Sequence, residues 1–180
     1  MCIRDSPFMG VGRNLAYRKE LFFSVNGFQS HMQLHSGDDD LFVNEVATRE
    51  NTALCLSPES FTVSTPKTSL SSWVKQKRRH ITTAKYYRKK HQVLLTLFFL
   101  SQFMFWVLSI GLLILNNNLY AVLSLVIIRW TLFFIIYRKA LKKLNENDLL
   151  LYLPILEIFL IAAQLVIFMT NLFRKPNSWK

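Results

Sequence analysis

The 180-residue sequence is poor both in residues that break chains and in residues that staple them. Five Gly and five Pro exclude a collagen-like repeat and a Gly/Pro-rich linker, and two Cys, Cys2 and Cys55, exclude a disulfide framework or a cysteine-based zinc cluster. Thiols so sparse suit a reducing compartment. Acidic residues are also scarce, eleven against 22 Lys and Arg, for a net charge of +11. That balance excludes an acidic disordered chain. Position matters more than the sum. Residues 1–59 hold eight acids and five Lys/Arg, a net of −3, whereas residues 60–180 hold three acids and seventeen Lys/Arg, a net of +14. The sequence therefore has two chemically different parts, meeting between Pro58 and Pro66.

A secretory leader is missing from the start: Met1 to Gly10 has neither a basic segment nor an apolar run. Residues 1–7 read poorly as the beginning of any element. They are expected to be non-native or disordered, and the chain to be the C-terminal fragment of a longer protein.

What is abundant is apolar surface: 51% hydrophobic residues, 15 Phe among them. Val93 to Leu115 is a run of 23 residues without a charge. At a rise of about 1.5 Å per residue it covers roughly 34 Å, enough for a hydrocarbon core of about 30 Å. A soluble helix apolar on every face needs a larger protein around it than this one, so a membrane span is expected. Leu119 to Tyr137 follows after Asn116-Asn117-Asn118, a polar turn suited to a helical hairpin. Its one charge, Arg129, is expected to face another helix or a headgroup. Leu149 to Phe173 is long enough to span but carries Pro154, Glu157 and Gln164, so it spans, kinks or lies partly in the interface. The membrane region is thus 93–173, with a tail at 174–180.

Short loops rich in Lys and Arg stay in the cytoplasm. Lys67 to His91 has nine such residues, the Asn turn none, and Arg138 to Asp148 four. This places the chain before Val93 on the cytoplasmic side. A full third span would put Arg174, Lys175 and Lys180 outside, against that rule; a re-entrant one keeps them inside.

Before the membrane region, a helix is expected near Lys19–Val25, another from Asp38–Asp40 to about Asn51, and strand-like pieces at Ala53–Leu56 and Phe61–Ser64. Residues 8–66 look like the last part of an α/β domain. Ser36-Gly37-Asp38-Asp39-Asp40-Leu41 is the sharpest local signal. Three carboxylates at a helix start have a plain explanation, capping of free N–H groups and favourable interaction with the helix dipole. They equally fit a general base held among other acids, or, as Asp38-x-Asp40, a pair for Mg²⁺ or Mn²⁺. In residues 67–92, Trp73, Gln76, Lys77 and His80 share one helical face, continued by Ile81, Ala84 and Tyr87, with cations opposite. That is the pattern of an interfacial amphipathic helix on anionic headgroups, and Gln76 with Arg79 also offers an amide and a fork to a diphosphate. A nucleic-acid partner fits poorly, because the basic run adjoins the membrane.

The order Gly12-Arg13-Asn14, Gly27-Phe28, Gly37-Asp38-Asp39-Asp40-Leu41, then Gln76-x-x-Arg79-His80 leading into membrane helices resembles the C-terminal half of membrane-bound family-two glycosyltransferases. These include cellulose, chitin and hyaluronan synthases. The resemblance covers Phe8 to the C-terminus. It implies a Rossmann-like GT-A fold, of which residues 8–66 are a remnant, and an inverting transfer of sugar from a nucleotide-sugar donor to a glycan or lipid-linked acceptor at the cytoplasmic membrane. It gives the base role to Asp39 when aligned on Gly37 and Asn44, or to Asp38 when aligned on Asp-x-Asp-Leu; the first alignment is preferred. It implies that Arg79 neutralises the diphosphate and that His80 borders the acceptor, with Gln76 and Trp73 on the same helix. Gly12, Arg13 and Asn14 would line the acceptor or diphosphate side. His80 stands where the family pattern has Trp, a departure from the processive polymer synthases. A divalent metal, Mg²⁺ or Mn²⁺, is implied, held by an Asp-x-Asp motif expected upstream of residue 8, so this chain alone is expected to be inactive. The alternative from composition is a small non-enzymatic membrane protein whose basic helix binds lipid or a partner.

Overall fold

A computed structural model describes residues 2–3, 6–34, 37–115 and 118–173. The fold is mostly helical. The only sheet among the described residues pairs β1 (Cys2–Ile3) with β2 (Ser6–Pro7), antiparallel, Cys2 opposite Pro7 and Ile3 opposite Ser6. The α/β expectation is corrected here: Ala53–Leu56 and Phe61–Ser64 form no strand, and no GT-A sheet is present. An isolated apolar tetrapeptide becomes a strand only where a partner supplies the ladder, and the described residues offer none. Two residues of the expected disordered start lie in each of the paired strands.

The helices are α1 (Lys19–Ser24), α2 (Asp38–Val46), α3 (Leu70–Thr83), α4 (Lys89–Ile114), α5 (Leu119–Leu144) and α6 (Leu153–Phe173). The chain divides into two compact units. The first gathers Met1–Cys55, Ser60–Thr96 and Gln164–Lys180; the second gathers Leu56–Glu59 and Leu97–Ala163.

In the first unit, α2 is the central element because its inner face is apolar where it must be: Leu41, Phe42 and Val43 are buried. Leu41 joins Phe8 and Tyr87 in a core edged by Ile3, Met9, Leu34, Ala84 and Leu95. Phe42 enters a ring cluster with Tyr17, Phe22 and Phe28, at centroid distances of 4.6, 5.8 and 6.0 Å. Burying one such ring stabilises by roughly 1.5–3 kcal/mol. The turn that returns Phe28 to this cluster needs Gly27, which has φ +65° and whose added Cβ would lie 2.6 Å from the Phe22 ring. The helix ends at Val46, five residues short of the expected Asn51. Asn51 instead closes a polar turn, accepting from Thr48 N–H at 2.7 Å and donating to Val46 O at 2.9 Å.

The basic segment 67–92 is not one helix. Ser69 caps α3, accepting from Ser72 N–H at 3.2 Å. A 3₁₀ turn over Ala84–Tyr86 and extended Tyr87 then end it before α4 starts. The inner face of α3 carries Trp73, Gln76, His80 and Thr83, while Lys77 and Ile81, expected on the same face, are exposed. Lys77 instead sits over the Trp73 ring, 5.7 Å from its centroid. Arg78 donates through Nε to Asn171 Oδ1 at 2.8 Å, and Asn171 returns a bond to Arg78 O at 3.3 Å, tying α3 to the end of α6.

The break between α3 and α4 is held by side chains rather than by the helix ladder. Asn44 Oδ1 accepts from Arg88 N–H at 2.7 Å, and Asn44 Nδ2 donates to Phe8 O at 2.8 Å and to His91 Nδ1 at 2.9 Å. These three partners fix the amide's orientation, so His91 Nδ1 is an acceptor. Its Nε2 then carries the proton and donates to Ser6 Oγ at 2.9 Å. Gln92 closes the elbow from the other side, donating to Lys85 O and Tyr87 O at 2.8 and 2.7 Å.

In the second unit lie most of the apolar helices. Three are long and apolar enough to cross a membrane, Lys89–Ile114, Leu119–Leu144 and Asn147–Phe173, the last including a 3₁₀ turn before α6. Membrane association follows from these lengths and compositions. The helices run past the apolar segments read from sequence: α4 begins four residues before Val93 and α5 continues seven residues beyond Tyr137. Lys and Arg are good helix formers and simply extend each rod into the interface. Of the Asn turn, Asn116 and Asn117 lie outside the described residues, as do Ser36 of the acidic motif and residues 174–180, whose sidedness was left open. Asn118 and Asn145 take left-handed φ of 50° and 57° at the two ends of α5.

Arg129 faces another helix, as expected. Its guanidinium donates through Nη1 to Glu157 Oε2 at 3.2 Å and through Nη2 to Glu157 Oε1. Four rings, of Phe105, Trp106, Trp130 and Phe133, surround it with centroids 4.5, 5.6, 5.9 and 5.8 Å away. The pair thus joins α5 to α6 while aromatic side chains of α4 and α5 screen it from lipid.

Candidate functional site

The residues singled out in sequence meet around the start of α2. Its first residue follows Gly37, which has φ +92° and whose added Cβ would lie 2.4 Å from Thr83 Cγ2. Gly is required twice over, for the left-handed turn and for the approach of α3. Helix phase then gives the three acids three environments. Asp38 is exposed, Asp39 partly buried, and Asp40 buried at 1% exposure.

Asp39 acts as a clasp. Its Oδ2 accepts from Gly12 N–H at 2.6 Å and its Oδ1 from Asp40 N–H at 2.9 Å. A Cβ on residue 12 would sit 3.2 Å from Asp39 Oδ2, so Gly12 permits this contact. The Gly12–Asn14 turn and the acidic motif, separated by 27 positions, are thereby joined. The next two residues of the turn look elsewhere: Arg13 Nη1 donates to Ser64 Oγ at 2.5 Å and Asn14 Nδ2 to Ser60 O at 3.0 Å. They hold the 60–64 segment against the turn.

Asp40 is the residue that sequence reading passed over. Both its oxygens are buried without a well-formed hydrogen bond, an arrangement native structures rarely tolerate. Two groups face it. His80 Nδ1 is 3.9 Å from Oδ2, and the Tyr87 hydroxyl is pushed up to about 12, by burial first and by the Asp40 charge second. Tyr87 is therefore a neutral hydroxyl throughout the physiological range. The available signal was spacing: Asp40 and Asn44 stand four apart on the face that also buries Leu41, so both polar side chains point inward.

Among the C-terminal motif residues, His80 reaches the acidic cluster, while Gln76 and Trp73 lie partly buried on the preceding turns of the same helix and Arg79 is partly buried beside His80. No three His, Cys, Asp or Glu among the described residues converge as a metal-holding group. Asp38 and Asp40 do not form a pair, since one faces solvent and the other the interior. The residues present do not by themselves fit a divalent cation. Separately, an open hollow of about 590 Å³ at the start of α4 is lined by Lys89, Lys90, Val93 and Leu94, two ammonium groups beside two aliphatic chains.

Comparison with known proteins adds no name to this geometry: no family profile, curated protein or solved structure matches the chain.

Proposed function

We propose that this chain is the acceptor side and membrane anchor of an inverting family-two-type glycosyltransferase, working at the cytoplasmic membrane face. The observation that supports it is the meeting of three separated stretches at one place: the Gly12 turn through Asp39, the acidic start of α2, and His80 of the Gln-x-x-Arg-His stretch through Asp40. Spacing along the sequence does not require that convergence.

In this reading a carboxylate at the start of α2, Asp39 or Asp38, takes the proton of an acceptor hydroxyl. The hydroxyl oxygen bonds to the anomeric carbon of the nucleotide sugar, the bond from that carbon to the phosphate oxygen breaks, and the electron pair leaves with the nucleoside diphosphate. Asp38 is the solvent-facing candidate, and Asp39 the one already engaged by two backbone donors. Gln76 and Arg79 meet the departing diphosphate with a polar and a cationic group. The donor site and its metal lie outside the residues described, and no step is routed through them.

The test is nucleotide release by the full-length protein in membranes against a panel of nucleotide sugars. Sugar-dependent release supports the reading, and its absence with every donor sinks it. A second reading, a non-enzymatic membrane protein with a lipid-binding basic surface, is favoured by the Lys89–Leu94 hollow, whose two lysines and two aliphatics suit an anionic headgroup and its acyl chain. Selective retention of anionic lipid with no nucleotide release would favour it.

A further inference from the structure

Asp40 stands apart from the two acids before it. An exposed acid at a helix start is satisfied by water and by the helix dipole, but Asp40 is removed from both. A buried carboxylate without donors is costly unless something nearby uses it. The structure surrounds it with groups that are themselves held. Thr83, brought close because residue 37 has no side chain, donates to His80 O at 2.7 Å and fixes the last turn of α3. Tyr87 is buried in the core beside Leu41. The His80 ring is then the only one of the facing groups with a second, open side: its side chain is 41% exposed while its Nδ1 edge faces Asp40.

We propose that Asp40 is a positioning residue for His80, holding the imidazole with Nδ1 inward so that Nε2 is presented outward as the hydrogen-bond acceptor for a hydroxyl of the acceptor sugar. The separation of 3.9 Å is ion-pair distance and closes to a hydrogen bond with a modest rotation of the ring. With Nδ1 carrying the proton toward the carboxylate, Nε2 has a free lone pair. This rests on the glycosyl-transfer reading and narrows its substrate. Where the family pattern offers the face of a Trp to a sugar ring, this chain offers one directional acceptor atom. The acceptor is then selected by a hydroxyl at a fixed place rather than by stacking, and a deoxy analogue lacking that hydroxyl is discriminated against.

Two measurements on the full-length protein in lipid nanodiscs test this. The first is the ¹⁵N signature of the His80 imidazole. The wild type is expected to show the Nδ1–H tautomer, Asp40→Asn to keep it through its amide carbonyl, and Asp40→Leu to lose it. Replacing an unpaired buried charge by an apolar side chain of similar size does not weaken a fold, so Asp40→Leu keeps its thermal midpoint. The second is kinetics, with UDP-glucose and UDP-N-acetylglucosamine as donors and cellobiose and N-acetylglucosamine as acceptors. Asp40→Leu and His80→Phe are expected to raise the acceptor KM about tenfold, the scale of one hydrogen bond, with donor KM unchanged. An Nε2–H tautomer in the wild type, a tautomer unchanged in Asp40→Leu, or an unchanged acceptor KM overturns the proposal. If the wild type transfers sugar from no donor, the glycosyl-transfer reading fails and this proposal's acceptor assignment with it, while the tautomer still decides whether Asp40 positions His80.

Discussion

Removing one partner of the Arg129–Glu157 pair is expected to do more damage than removing both. Glu157 has 4% and Arg129 20% side-chain exposure, so neither charge has water to fall back on once its partner is gone. Two further facts set the scale. The guanidinium makes both of its bonds to one carboxylate, and four rings within 5.9 Å contribute cation–π attraction only while the cation stays in place. Breaking a buried pair from one side costs about 3–5 kcal/mol, and a lone Arg near the middle of a span costs about 2.5–3.5 kcal/mol on insertion scales. Glu157→Ala should therefore destabilise the second unit by about 3 kcal/mol, roughly a 150-fold shift in its unfolding equilibrium. Arg129→Met combined with Glu157→Met should fall within about 1 kcal/mol of wild type, because aliphatic chains then fill the same space without charge. The assay is denaturant unfolding in detergent micelles of the two single variants and the double variant, read as a double-mutant cycle. A coupling energy under about 0.5 kcal/mol would refute the reasoning, since the pair would then contribute no more than an exposed one.

Other perturbations follow from the first unit. Gly37→Ala should lower the midpoint of thermal unfolding, through both the φ of +92° and the 2.4 Å approach to Thr83 Cγ2; adding Thr83→Ser should recover the steric part alone. Phe42→Ala should cost about 3–5 kcal/mol, because Phe42 is 1% exposed at the centre of a ring cluster, and chemical denaturation measures it. Tyr87 has its ionisation raised to about 12 in the fold, against about 10 in an unfolded chain, so the folded state holds its proton longer. Its contribution to stability is complete below pH of about 10 and is lost as pH rises through about 12; Tyr87→Phe should flatten that limb of the pH–stability curve.

The spans were legible in sequence because a membrane helix is specified by the absence of charge over some twenty residues, which any reader can count. Their ends were not, because nothing in Lys89-Lys90 or in Lys142-Lys143 forbids a helix from continuing into water. The strand expectation at Ala53–Leu56 failed for a related reason: strand formation belongs to a pair, and the other member must come from elsewhere in the fold. The candidate site was legible as a set of residues but not as a division of labour. Asp38, Asp39 and Asp40 are chemically identical in sequence, and only the 100° step of the helix separates the solvent-facing acid from the clasp and from the buried one. Asn44 was noticed as an alignment point, yet its three hydrogen bonds could not be foreseen, since its partners Phe8, Arg88 and His91 lie more than 35 positions away.

The elbow between α3 and α4 carries a mechanical consequence. Asn44 grips the chain on both sides of the point where α4 begins, through Arg88 N–H and His91 Nδ1, and its own helix carries the acidic cluster four residues earlier. The lysines at positions 89 and 90 and the aliphatics at 93 and 94 set how deeply the first turns of α4 sit in a bilayer. A vertical shift of those turns cannot be absorbed locally without breaking the Asn44 bonds, so it is transmitted to α2. Bilayer thickness and headgroup charge thus become inputs to the acidic cluster, and its geometry reports on the lipid around it.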